Sequence, residues 1–472
     1  MAEHGFWEWD KEEAETDVGT SFASMAAVPE EEGVDAYSIV LEAVRARVTG
    51  EALLTSAQLL DPSAADREKI LQAARQEAHR YASSAASKGL PPLPGDADRV
   101  AEMVVEDMVG WGPLAEYMAD DQVEEIFVNG PDEIYVVYAG EPKRKVGSHF
   151  RSAAHLWNFF FDKLDRAGGS RTISTKTPWL DGRLPDGSRF HGIRPPLVAN
   201  RPNLVVTIRR FRPVARTLDQ MVGLGTMPLD VAAFLRAAVE SQCNVVVSGG
   251  TASGKTTFLN CCGSILDEDE RIITIEDTPE LAIPVQNWVQ LVTREASEGV
   301  QEVTMHDLVR HALRMKPDRI WLGEARGPEM AAILTAANTG HEGVMFTVHA
   351  DDVHATLTRI ETLVLMAEGA GNLPLWAVRY NIATALHLIV HLSRRRLPDG
   401  SEVRRVTGIG EVSDQLQGEQ IVVEPLWEWD PSAGSGQAAG ELAWQEFYPS
   451  DRLSERLRSR AGFDFGKEIG RL

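Results

Sequence analysis

The octapeptide Gly249-Gly250-Thr251-Ala252-Ser253-Gly254-Lys255-Thr256 constrains this chain more than any other stretch, because of what flanks it. The β-branched run Asn244-Val245-Val246-Val247-Ser248 precedes it and Thr257-Phe258-Leu259-Asn260 follows. That order reads strand, loop, helix, the context in which a GxxxxGK[ST] match forms a nucleoside-triphosphate cradle. Glycines let consecutive backbone N–H groups turn inward on phosphate oxygens, and the N-terminal end of the next helix adds partial positive charge. Gly249, Gly250, Thr251, Ala252, Ser253, Gly254, Lys255, Thr256 and Thr257 are the expected nucleotide-binding residues. Lys255 is placed to reach the β- and γ-phosphates and Thr256 to put its hydroxyl on Mg2+, so ATP and Mg2+ are the expected cofactors.

Downstream carboxylates indicate what is done with the nucleotide. Glu276, in Thr274-Ile275-Glu276-Asp277, and Glu324, in Arg319-Ile320-Trp321-Leu322-Gly323-Glu324, each end a strand-like run, the edge at which open α/β sheets bind ligands. Either can serve as the base that orients or deprotonates an attacking water, and sequence does not choose between them. Gly323 stands where many phosphate-loop enzymes carry a metal-reaching aspartate, which leaves Thr256 and water as the main support for the metal. His341 and His349 flank the run Val344–Val348; two histidines eight apart with no cysteine partner suit hydrogen bonding that reports phosphate state better than zinc. Arg209 and Arg210 end another strand-like run; a solvated pair is the local alternative to a phosphate-binding pair.

The chain has 472 residues, room for two or three domains, and a net charge of -23, which disfavours a stable nucleic-acid partner. Residues 1–34 combine acidic clusters with little apolar periodicity and read as a disordered arm. Residues 35–95 read as a small helical domain and a proline-rich linker, 96–215 as an α+β domain, 216–415 as a doubly wound α/β core and 416–472 as a C-terminal tail. Phe6-Trp7-Glu8-Trp9-Asp10 in the arm echoes Leu426-Trp427-Glu428-Trp429-Asp430, which reads as an edge strand with a groove that the arm could occupy. The three cysteines form no CxxC pair, so neither zinc nor a disulfide framework is indicated. The N-terminus lacks the basic and apolar regions of a signal peptide, and no run of about 18 apolar residues occurs, so a cytoplasmic location is expected.

Gly112-Pro113-Leu114, Glu125-Ile126-Phe127-Val128-Asn129-Gly130, Asp181-Gly182-Arg183-Leu184-Pro185-Asp186-Gly187-Ser188-Arg189 and Thr207-Ile208-Arg209-Arg210-Phe211, with the phosphate loop and the motifs behind it, resemble the secretion-ATPase superfamily of type II and type IV secretion. Within it the chain resembles the CpaF/TadA-type motors of Tad pili. The stretch around Glu276 looks like that family's Asp box, Gly323-Glu324 like its atypical Walker B, and Gly340–His349 like its His box. The resemblance implies a RecA-like core behind a PAS-like α+β domain and a homohexamer. It also implies ATP bound between the two, with Arg209 and Arg210 closing over the phosphates. An inner-membrane platform protein is the implied partner, recruiting the chain to the inner face of the cytoplasmic membrane. The implied work is pilus assembly or protein export. A conjugation-type motor for DNA or effectors, a nucleotide-gated scaffold with little hydrolysis, and a RecA-like nucleic-acid translocase are the alternatives.

Overall fold

The computed structural model describes residues 35–469 other than 52, 56, 57, 60, 61, 140, 167–172, 174–176, 185, 202, 211–216, 295, 297–300, 368–372, 398–401 and 434–439. The Phe6–Asp10 echo therefore lies outside the described residues. The chain divides into two compact units, Met1–Arg212 and Pro213–Leu472.

The first unit joins a helical layer to an antiparallel sheet. Helices Ala36–Gly50, Ala64–Lys88 and Ala97–Val109 bury one stripe each, with Val40, Val44 and Val48 meeting Ile70, Ala74 and Ala78 and then Val100 and Val104. These are the four-residue spacings of a helix face. Ser63 and Asp66 cap the second helix reciprocally and Gly89, at φ 67, ends it. Because Ala97–Val109 packs into this helical core, the seam within the unit falls near Gly110 rather than at the linker before residue 96. Asp107 pins that seam, its buried carboxylate accepting from Tyr37 Oη (2.6 Å) and Arg151 (2.6 Å) and meeting His155 Nε2 (2.8 Å). The sheet comprises β1 (Val123–Gly130), β2 (Glu133–Tyr138), β3 (Arg144–Lys145), β4 (Trp179–Arg183), β5 (Arg189–Ile193) and β6 (Val205–Arg209), in the order β3-β2-β1-β6-β5-β4. Alternate residues Ile126, Val128, Ile134, Val136, Val206 and Ile208 are buried under helix Ala153–Arg166, which contributes Leu156, Phe159 and Phe160.

The second unit is a nine-stranded sheet with helices on both faces. Its strands are β7 (Val245–Gly249), β8 (Ile272–Glu276), β9 (Trp288–Val292), β10 (Arg319–Leu322), β11 (Met345–Val348), β12 (Leu388–Arg396), β13 (Glu402–Gln417), β14 (Gln420–Asp430) and β15 (Glu441–Trp444). The order β15-β14-β13-β12-β7-β11-β10-β8-β9 is parallel from β12 to β9 and antiparallel beyond it. Valines alternate between faces: Val245 and Val247 join helices Leu229–Glu240 and Lys255–Gly263, while Val246 joins the core that holds Ile333, Ile360 and Ile382. Such strands are apolar throughout because both faces are covered.

Residues 416–472, expected as a tail, complete this unit. Leu426–Asp430 lies inside β14, paired on one side with β13 and on the other with β15, so it is not the edge strand that the sequence suggested. Leu426 and Trp427 are buried, with Trp427 against Phe234 and Phe465. Helix Asp451–Ala461 closes the opposite end of the sheet, where Arg456 donates to the Ser241 and Gln242 carbonyls and both Arg456 and Arg460 pair with Glu342.

Candidate functional site

β7 stops at Gly249 because nothing but glycine fits there: φ is +150°, and a Cβ would lie 2.1 Å from the Leu392 carbonyl oxygen of β12. The chain then makes a tight loop through Ala252 (φ 58) and Gly254 (φ 98), and helix Lys255–Gly263 begins. Lys255 folds back over the loop, its Nζ donating to the carbonyls of Gly249 and Gly250, both at 2.8 Å. Ser253 Oγ is buried and has no hydrogen-bond partner within the protein. A loop with a buried ammonium and an orphaned hydroxyl fits an oxyanion that would draw both. No cluster of three His, Cys, Asp or Glu side chains that could hold a metal ion occurs among the described residues. Mg2+ at nucleotide sites binds through phosphate oxygens, water and one or two protein oxygens rather than an all-protein cage. Thr256, half-exposed in the first helical turn, supplies such a hydroxyl.

Strand order brings the other groups to the same edge. β11 lies beside β7 with Val348 level with Ser248, which delivers His349 next to the loop, 3.5 Å from Lys255 Nζ. β10 lies beside β11 and delivers Glu324, whose Oε1 is 3.1 Å from His349 Nε2. Burial, and after it the Lys255 ammonium, holds the His349 imidazole below the ordinary histidine value, with Glu324 opposing. A neutral ring protonated on Nε2 donates to Glu324 and turns its Nδ1 lone pair toward Lys255. Arg326 completes the row, with Nε 3.1 Å from Glu324 and Nη2 3.6 Å from Asp277.

Glu276 ends β8 at the same edge in a different state. It is 2 % exposed, its Oε1 accepts from the backbone N–H groups of Glu280 (2.7 Å) and Leu281 (2.9 Å), and its Oε2 accepts from Gln290 Nε2 (2.8 Å). Burial raises its pKa against those hydrogen bonds. This side chain also explains the glycine before Glu324, since a Cβ on Gly323 would come within 2.8 Å of Glu276 Cγ. The space that an aspartate would need at 323 is filled by Glu276.

The remaining expected residues are not gathered in this way. His341 precedes β11 at the end of the sheet away from the phosphate loop, where the Gly343 N–H donates to the Gln242 carbonyl, so strand β11 separates it from His349. Its Nδ1 is buried and unpartnered. Arg210 is buried, and its Nη1 donates to the carbonyls of Tyr117 (2.8 Å) and Asp120 at the end of helix Ala115–Ala119, the work of a local brace. Arg209 is half-buried at the end of β6, level with Arg189 of β5 and Glu125 of β1. Sequence reasoning missed Arg326, Gln290 and Arg189 as neighbours of these groups. Arg326 was within reach, two residues after Glu324, whereas Gln290 meets Glu276 only through the pairing of β8 with β9.

A family model described as Type II/IV secretion system protein matches residues 107–431. Among curated relatives, an uncharacterized protein of Methanocaldococcus jannaschii is 39% identical over 50% of this chain, which spans only 33% of that relative's length. The conjugal transfer protein TrbB of Rhizobium radiobacter is 32% identical over 65% of this chain and 89% of its own. The type IV secretion system protein VirB11 of Bartonella henselae is 29% identical over 60% and 87%. Among solved structures, the VirB11 ATPase of the Brucella suis type IV secretion system is 29% identical over 63% of this chain and 94% of its own, with a TM-score of 0.34. The family model spans well over half of the sequence and contains both the phosphate loop and the row of charged groups beside it, and the chain belongs to the Type II/IV secretion system protein family.

Proposed function

We propose that this chain is an Mg2+-dependent ATPase that assembles as a homohexamer and converts hydrolysis into domain motion, driving a Tad or type IV-like pilus or protein export. The observation that carries this reading is the continuous row Lys255, His349, Glu324, Arg326 and Asp277 at the mouth of the phosphate loop. Lys255, held by the Gly249 and Gly250 carbonyls, would exchange them for β- and γ-phosphate oxygens. Mg2+, held by Thr256 Oγ and the nucleotide, would supply charge neutralisation. Glu324, partly exposed and aligned by His349 and Arg326, orients the attacking water and accepts its proton; Glu276, with both oxygens engaged, positions the Glu280–Leu281 turn. Of the two arginines, Arg209 is proposed to stabilise phosphate charge in the assembled ring, while Arg210 braces its own domain.

No described helix is long and apolar enough to cross a membrane, and the proposed location is the cytoplasmic face of the inner membrane, reached through a platform protein. A conjugation-type motor for DNA or effectors is the second reading, favoured by the likeness to a conjugal transfer protein. Turnover of purified protein, with and without a pilus platform protein or single-stranded DNA, tests this reading. Stimulation by the platform protein is expected; stimulation by DNA alone would favour a nucleic-acid translocase, and no turnover in any condition would leave a scaffold.

A further inference from the structure

β12 pairs with β7 up to Leu392 opposite Gly249 and then continues, so Ser393–Arg396 and the returning part of β13 overhang the phosphate loop. Arg404 of β13 uses this position. Its Nε donates to the Ala252 carbonyl at 3.0 Å, and its Cδ lies 3.5 Å from where a Cβ would stand on Gly254. Ala252 is the non-glycine residue of the loop with positive φ, a conformation an L-residue keeps only when its surroundings hold it. In a planar trans peptide the C=O and the following N–H point in opposite directions. A carbonyl of Ala252 turned outward onto Arg404 therefore turns the Ser253 N–H toward the hollow of the loop, beside the orphaned Ser253 Oγ.

We propose that Arg404 is a positioning residue for nucleotide binding: from a strand outside the phosphate-loop motif, it fixes the Ala252–Ser253 peptide so that its N–H is presented to a phosphate oxygen. This rests on the reading of residues 249–256 as a phosphate loop. The role belongs to binding rather than to the chemical step, since the contact that Arg404 makes with the loop is to its backbone. The hairpin register that supports it, Arg394 opposite Arg404, also ties the loop's shape to the C-terminal half of the sheet.

The test is nucleotide affinity, followed by a fluorescent ATP analogue, together with KM and kcat, for Arg404→Ala, Arg404→Lys and Lys255→Ala beside the parent, with thermal melting of each. Arg404→Ala is expected to weaken binding and raise KM about tenfold, the proportion for one lost charge-assisted hydrogen bond, with a much smaller change in kcat. Arg404→Lys, which retains a donor, is expected to recover most of that affinity. Parental affinity in Arg404→Ala, while Lys255→Ala binds poorly, overturns the proposal and leaves the phosphate loop standing. Parental affinity in Lys255→Ala overturns the phosphate-loop reading itself. If Arg404→Ala does not fold, Arg404→Lys and Arg404→Gln carry the test, and a fall in kcat at unchanged KM in both overturns the positioning role.

Discussion

At the scale of single residues, the site is decided by which groups compete for the same space. Glu276 fills the volume over Gly323, so Gly323→Ala must push back a buried, fully hydrogen-bonded carboxylate. The expected cost is about 1–3 kcal/mol of stability, with a loss of turnover from displacement of the neighbouring Glu324, read by denaturant unfolding and steady-state ATPase assays. An unchanged unfolding midpoint would show that Glu276 moves aside freely. The motif residues themselves were legible in the sequence, because a β-branched run before GxxxxGK[ST] fixes strand, loop and helix together. The division between Arg209 and Arg210 was legible too, because side chains alternate faces along a strand and consecutive arginines point opposite ways. The same holds for His341 and His349, since a four-residue strand between them places them at opposite ends of it. Which carboxylate stays partly exposed was not legible, because it depends on Gln290 arriving from β9.

Among the elements, the C-terminal strands and helix act as part of the core. Trp427→Ala in β14 is expected to cost about 3–5 kcal/mol, as for a large aromatic in a packed core, whereas a tail residue would cost almost nothing. Denaturant unfolding distinguishes these outcomes. The parallel strands announced themselves as continuous apolar runs, but β13 and β14 carry glycine and polar residues within long strands, and Leu426–Asp430 looks like an edge strand unless β15 is known to cover it. The end of the sheet away from the phosphate loop carries a pH dependence of its own. His387 precedes β12 and accepts the Asn244 N–H on Nδ1, and burial, aided by Arg452, Arg456 and Arg460, lowers its pKa to about 3. The unfolded chain therefore binds a proton near pH 6.5 that the folded chain refuses, so the contribution is complete above about pH 6.5 and declines as pH falls toward 3. Between pH 7 and pH 5 this group alone is expected to remove about 2 kcal/mol of stability. His387→Gln should flatten that limb of the pH–stability curve, and an identical limb in the variant would assign the acid sensitivity to other groups.

For the whole molecule, the proposal of a homohexameric ATPase is tested at Arg209. Arg209→Ala should leave the unfolding of each unit and nucleotide binding by isolated subunits near parental values while lowering kcat about 10- to 100-fold in hexamers, as removal of one transition-state charge contact does. Sedimentation run alongside turnover would separate a failure of assembly from a failure of catalysis. Parental kcat in assembled rings would remove Arg209 from the site. The central claim, that Lys255 binds phosphate while Glu324 activates water, is tested most directly by measuring ATP binding and ATP hydrolysis on the same samples of Lys255→Ala and Glu324→Gln. Lys255→Ala is expected to lose both, and Glu324→Gln to bind ATP with near-parental affinity while hydrolysis falls about 100-fold or more. Near-parental hydrolysis by Glu324→Gln would contradict the assignment of the base and with it the mechanism built on that row.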